Sequence, residues 1–195
     1  MFRDHPVLAT ILNVTLGIWL VPEILLVIRT RIVRLHVTAQ DRYSGLAVAG
    51  SVGLAIFAAS PVAHWLPGAS LPGSRIATFA VGFAIMVGGI VLRWYSIWSL
   101  RRYFTMSVLV QQGQRVVRAG PYRFVRHPSY TGALITLLGL GIALGNWVSI
   151  AVLVVVPMAG FWYRIHVEEE VLMRSLGDDY EAYMRETKRL IPGFI

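Results

Sequence analysis

Five apolar stretches, joined by connections whose charges are almost all arginine, constrain this chain more than any other feature. Crossing the hydrocarbon core of a bilayer takes about 20 apolar residues in a helix. Lipid offers no partners to backbone N–H and C=O groups, so such segments must be helical. The stretches cover residues 7–28, 45–66, 76–100, 130–144 and 147–165, the fourth being short. Only Gly145 and Asn146 part the last two, which predicts a tight antiparallel hairpin. The chain is 56% hydrophobic and only 14% charged, against about 25% charged in soluble domains. The expected fold is an all-α, polytopic membrane protein with five transmembrane helices. It forms a single membrane domain over residues 1–195, with three spans in 1–100 and a helical hairpin plus tail in 101–195.

The charges give this topology a direction. With five spans, one side receives Arg29, Arg31, Arg34 and Arg42, then Arg101, Arg102, Arg115, Arg118, Arg123 and Arg126, and finally Arg174, Arg185, Lys188 and Arg189. The other side receives only Arg3 and Arg75. Basic residues mark the cytosolic face of a membrane protein, which predicts an outside N-terminus and a cytosolic C-terminus. The net charge of +8 thus follows membrane orientation, and no nucleic-acid partner is expected. The first stretch is too long for the core of a cleaved leader and lacks a small-residue cleavage site, so it reads as a span.

The chain has no cysteine, which removes disulfides, thiolate metal sites and a catalytic thiol. Its five histidines show no metal-binding spacing, and no metal is expected. Polar residues concentrate in the 99–129 connection and in the tail from residue 166. Val171, Leu172, Leu176, Tyr180 and Tyr183 recur at helical spacing. Gly177, followed by two aspartates, predicts a break, hence two short tail helices.

Two polar clusters stand out. In "AGPYRFVRHPSYTG", His127 precedes a proline and is steered away from helical geometry. Pro128 then opens the next helix, with Ser129 and Tyr130 in its first turn. The free N–H groups of that turn suit an anion such as a ligand carboxylate. The same residues also suit an interfacial belt at the headgroup level. In "YRIHVEEEVL", Arg164 and Glu168 are four apart and share a helix face, at the depth where an ionisable group marks a functional site by default. An interfacial arginine followed by a solvated acidic run fits equally. The glycines at 139, 141 and 145 lie inside a span with no strand before them, so they predict close helix packing. Gly45, Gly50, Gly82, Gly88 and Gly89 read as further packing notches. Glu23, beside Pro22 within the first span, calls for a partner on a neighbouring helix or for protonation.

Taken together, the two clusters resemble the isoprenylcysteine carboxyl methyltransferase family. Its members carry GPYxxxRHPxYxG, later EExxL, then a glycine and a tyrosine-bearing helix. Here these are Gly120 to Gly132, then Glu168 to Leu172, then Gly177, Tyr180 and Tyr183. The resemblance covers roughly the last 95 residues, in the manner of prokaryotic-type members. It implies an integral membrane transferase using S-adenosylmethionine on a lipophilic acceptor, most simply an isoprenylcysteine-like carboxylate. By position it implies cofactor contacts at Gln114, Arg115, Val116, Val117, Tyr122, His127, Pro128, Ser129, Tyr130 and Glu168, and places Arg164 at the reacting end of the acceptor. Eukaryotic members have histidine where Gln114 stands. The resemblance also implies a cofactor pocket between the 99–129 loop and the C-terminal helices. That pocket faces the cytosol, in a prokaryotic cell membrane, and the acceptor enters from the bilayer. Phospholipid amine and thiol methyltransferases share the same motifs. NADPH-dependent sterol reductases share a similar C-terminal region but usually have more spans.

Overall fold

The computed structural model describes residues 6–33, 39–100 and 115–193. Six helices carry most of them: α1 (Pro6–Val33), α2 (Ala39–Trp65), α3 (Arg75–Leu100), α4 (Pro128–Leu144), α5 (Trp147–Leu176) and α6 (Asp178–Glu186). Short 3-10 turns at Pro67–Ala69 and Gly120–Arg123 lie in the connections. Helices α1, α2, α3 and α5 are long and apolar enough to cross a membrane. Helix α4 is apolar but has only 17 residues, about 25 Å at 1.5 Å per residue. Its position explains why that length suffices. It packs between α3 and α5, and 11 of its residues are buried, so most of its surface meets protein rather than lipid. Helix α2 packs on α5, and α1 contacts α3, while Leu12 and Leu16 of α1 border a small cavity with Ile56 of α2 and Leu140 and Leu144 of α4.

The outward faces are apolar. Val14, Ile18, Leu54, Phe57, Val91 and Val155 are all more than half exposed, a surface that suits lipid. Exposed Trp65 and Trp147 mark one end, and Trp98, Trp162 and Tyr163 the other, as aromatic belts do at membrane interfaces.

Glycine sets the central helix contact. A methyl on Gly132 would lie 2.6 Å from the Arg93 backbone nitrogen, and one on Gly139 would lie 2.6 Å from the Met86 Cα. One on Gly141 would lie 2.8 Å from the Ile150 Cα of α5. The α4 glycines are therefore packing residues. On α3 the matching notches are Gly82 and Gly89, whereas Gly50 and Gly88 face open space and are not notches. Both positions are exposed, on faces that none of the described helices covers. Replacing Gly139 by Ala is expected to destabilise the bundle by about 1–3 kcal/mol through overpacking. Gly88→Ala, which meets nothing, should hold or slightly raise the unfolding midpoint in detergent, and equal midpoints for the two variants would contradict the close α3–α4 contact.

The hairpin forms as its two-residue turn requires. Gly145 takes a left-handed φ of 69°, which glycine adopts without strain. The Asn146 side chain accepts hydrogen bonds from the Val148 and Ser149 nitrogens at 3.0 and 3.1 Å, capping α5. The tail differs from expectation in one respect. No glycine or proline falls between Ile165 and Gly177, so α5 runs unbroken for 30 residues to Leu176. The first expected tail helix is the end of this long helix. Only α6 is separate, and it starts after Gly177, whose φ is 54°.

Candidate active site

The start of α4, the end of α5 and the segment after α6 converge at one end of the bundle. His127 takes the non-helical φ of −123° that its proline neighbour favours, and Pro128 occupies the first helical turn. The chain before it is held by the tail. The Arg126 and His127 nitrogens donate to the Lys188 and Arg189 carbonyls at 2.7 and 2.9 Å, and Val125 pairs with Lys188 in a parallel bridge. The Thr131 hydroxyl donates to the Leu190 carbonyl at 2.7 Å.

Glu169 ties these parts together. Its carboxylate is buried and accepts from Arg126 Nε at 2.8 Å, His127 Nε2 at 3.2 Å and Arg189 Nε at 2.9 Å. Arg126 also donates to the Met184 carbonyl at 3.1 Å and to that of Thr187. Arg126, one of the most conspicuous groups in the motif, is therefore part of the scaffold.

A second network lies beside the first. The Tyr130 hydroxyl donates to Glu168 Oε2 at 2.9 Å and is also within electrostatic reach of Arg164. Arg164 is buried, and its Nη1 donates to the Ser44 hydroxyl of α2 at 2.7 Å. The Tyr130 ring stacks on His127 at 5.7 Å between centroids and leans on Phe161 at 5.2 Å. His127 Nδ1 stands 3.9 Å from Glu168 Oε2. Glu168 keeps 31% of its side chain accessible, against 3% for Glu169. The two neighbours thus divide the work: Glu169 faces inward, while Glu168 opens outward.

The tyrosines around this end stay neutral. Burial pushes the Tyr122 and Tyr180 hydroxyls well above their ordinary range and raises Tyr183 to about 12. Tyr183 thus remains a donor at neutral pH, and its hydroxyl reaches the Tyr122 carbonyl at 2.6 Å. Tyr183→Phe is expected to cost about 1–2 kcal/mol, because a buried carbonyl loses its donor. Tyrosine titrates near 10 when unfolded, so this bond's contribution should hold below about pH 10. It should be lost as pH rises towards about 12. Unfolding midpoints of wild type and Tyr183→Phe that stay equally far apart from pH 8 to pH 12 would contradict it.

Of the residues singled out in the sequence, His127, Tyr130, Arg164 and Glu168 meet in one connected cluster. The Tyr122 phenol is within electrostatic reach of Glu168 and Tyr130. Pro128 and Ser129 are buried behind them in the first turn. Arg115 is exposed, and Val116 and Val117 are half-buried, on the approach to the Gly120–Arg123 turn. Gln114 and residues 101–113 of the pocket-forming loop lie outside the described residues.

This constellation sits within a stretch of known type. Residues 77–179 match the family model for phospholipid methyltransferases. The chain belongs to the phospholipid methyltransferase family. The family match takes in nearly all of α3, all of α4 and α5, and the cluster above except Ser44. The chain is similar to the protein-S-isoprenylcysteine O-methyltransferase of Schizosaccharomyces pombe, with 36% identity over 107 residues, 48% of this chain and 45% of that protein. It is similar to a probable protein-S-isoprenylcysteine O-methyltransferase of Oryza sativa subsp. indica, with 30% identity over 114 residues, 57% of this chain and 60% of that protein. It is also similar to protein-S-isoprenylcysteine O-methyltransferase B of Arabidopsis thaliana, with 31% identity over 113 residues, 57% of each chain. The chain thus spans about half the length of these relatives.

Sequence reasoning missed Glu169, Ser44 and Arg93. For Glu169 a signal existed. Leu153, Pro157, Phe161, Ile165 and Glu169 recur every four residues and are all buried on α5. That ridge points the second of the three glutamates inward. Nothing local in the sequence pairs Ser44 with Arg164, because the contact depends on how α2 crosses α5.

Proposed function

We propose that this family member transfers a methyl group from S-adenosylmethionine to a lipophilic acceptor, the carboxylate of an isoprenylcysteine-like molecule. One observation carries it. The Tyr130 hydroxyl, hydrogen-bonded to the accessible Glu168, also lies within the electrostatic reach of buried Arg164, so a grip for an anionic acceptor lies beside a carboxylate open to a cationic ligand. When bound, S-adenosylmethionine supplies an electrophilic methyl on a sulfonium sulfur. The residues present fit that group. Glu169 can only accept, so the proton shared with His127 sits on Nε2. The other ring nitrogen, Nδ1, faces Glu168 at 3.9 Å, so the ring and that carboxylate border the same polar opening. Tyr122, His127, Tyr130 and Glu168 would hold the cofactor, with residues 114–117 completing the contact and buried Pro128 and Ser129 backing it.

Arg164 serves the acceptor. A carboxylate is already ionised near neutral pH, so no general base is required. The protein must align the two reactants and exclude water. A guanidinium held by the Ser44 hydroxyl can fix a carboxylate by two parallel hydrogen bonds. The similarity to isoprenylcysteine methyltransferases supports this acceptor. The description of the matched family favours a phospholipid amine as the second reading. The arginine-rich connections favour a cytosolic site, with residues 101–195 as the catalytic region and the acceptor arriving through the bilayer.

Calorimetry tests the cofactor. Purified protein should bind S-adenosylmethionine saturably and NADPH not at all, and His127→Ala and Glu168→Ala, if folded, should abolish binding. Binding of NADPH alone, or of neither, overturns the proposal. Transfer of tritiated methyl to prenylcysteine analogues, phosphatidylethanolamine and thiols then separates the acceptors.

A further inference from the structure

The strongest polar feature outside the cluster is an ion pair inside the membrane span. Glu23 of α1 and Arg93 of α3 meet through both carboxylate oxygens: Arg93 Nε donates to Oε1, and Nη2 donates to Oε2 at 2.6 Å. Their side chains are 13% and 10% exposed. Charged groups at this depth are expensive and rarely kept without a use. Glu23 itself has an evident one, since it neutralises Arg93. Arg93 has a free edge left over. Its Nη1 turns away from Glu23 and donates to the Ser129 backbone carbonyl at 3.1 Å. Arg93 is also the residue against which Gly132 packs, and Tyr122 and Tyr130 are within its electrostatic reach. The guanidinium therefore grips the first turn of α4 from α3.

We infer that Arg93 is a positioning residue: with Glu23 as its counter-ion, it fixes the first turn of α4 and so sets the ligand-facing geometry of His127 and Tyr130. The consequence for binding rests on the proposed cofactor reading. A guanidinium is required, because it can bind a carboxylate with two donors and still offer a third. Lysine is a point charge with no such fork. Holding α1 in place is the simpler role, and it predicts that any change preserving the bundle preserves the site.

Two variants separate these roles. In Glu23→Gln the neutral amide still accepts from Arg93, and the bond to Ser129 remains. In the double variant Glu23→Gln/Arg93→Met no buried charge is left unpaired, so folding is expected to survive, but the Ser129 carbonyl loses its donor. Thermal unfolding in detergent, amide hydrogen exchange over residues 127–133 and S-adenosylmethionine affinity are measured for both. The double variant should keep its midpoint near wild type, show at least tenfold faster exchange in the first turn of α4 and bind S-adenosylmethionine about tenfold more weakly. Glu23→Gln should lower the midpoint, because the guanidinium loses its counter-ion, yet change the exchange in the first turn of α4 and the affinity far less. Unchanged exchange in the double variant, or equal changes in both variants, overturns the inference. Should the double variant not fold, Arg93→Lys serves instead, and wild-type exchange in it would be equally fatal. Failure of wild type to bind S-adenosylmethionine would sink the cofactor reading alone, because the exchange result stands without any ligand.

Discussion

Replacing Glu169 by alanine should unfold the end of the bundle that carries the candidate site, whereas replacing its neighbour Glu168 should leave the fold intact. The two carboxylates are adjacent in sequence and opposite in consequence. Glu169 is 3% exposed and accepts from Arg126, His127 and Arg189. Removing one partner of a buried ion pair costs about 3–5 kcal/mol, since the remaining charge is left unneutralised in a poor solvent. Here Arg126 would keep its backbone acceptors, Met184 and Thr187, and Arg189 is partly exposed, so the lower half of that range is expected. The loss should appear as a lower unfolding midpoint and as faster hydrogen exchange across the 125–127 and 188–190 pairing. Glu168→Gln removes one hydrogen-bonded charge from a site with access to solvent. It should shift the midpoint little and weaken ligand binding strongly. A Glu169→Ala protein as stable as wild type would show that the tail is held by its backbone pairing alone.

This contrast also shows what the sequence could reveal. The spans, the hairpin and the break at Gly177 were legible because each follows from a local rule: apolar length, a two-residue connection, a glycine flanked by aspartates. That the start of α4 and the end of α5 meet at one end was legible for a similar reason, since a two-residue turn returns the chain to the same side. Roles within the site were less so. Arg126 and Glu169 read as surface charge because they lie in polar runs. They prove structural only once α6 has brought residues 187–190 alongside residue 126. The depth of Glu23 in the span called for a partner or for protonation, but Arg93 was identifiable only from the crossing of α1 and α3. Glycine illustrates the same limit. Gly88 and Gly89 are equivalent in sequence, yet one faces open space and the other the α4 backbone. The helical phase relative to a neighbour decides it, and phase is a tertiary property.

The proposed division between holding the cofactor and holding the acceptor leads to the second large effect. Arg164→Ala should leave S-adenosylmethionine affinity within about twofold of wild type, because a group that grips only the acceptor contributes nothing to cofactor binding. Transfer to a prenylcysteine carboxylate should fall by about 100-fold or more, the scale on which losing one oriented charge-stabilising donor is felt. Arg164→Lys should recover only part of that rate. An ammonium can neutralise the carboxylate but cannot bind it with two parallel donors while also meeting the Ser44 hydroxyl, now 2.7 Å from Nη1. Ser44→Ala should then act in the same direction with a smaller effect, leaving the guanidinium present but less firmly oriented. Thermal unfolding of each variant guards against a trivial loss of fold. Undiminished transfer to the carboxylate in Arg164→Ala would remove Arg164 from the acceptor site. Transfer to phosphatidylethanolamine at the wild-type rate in the same variant, with no carboxylate transfer in wild type, would instead move the protein to the amine-methylating branch of its family.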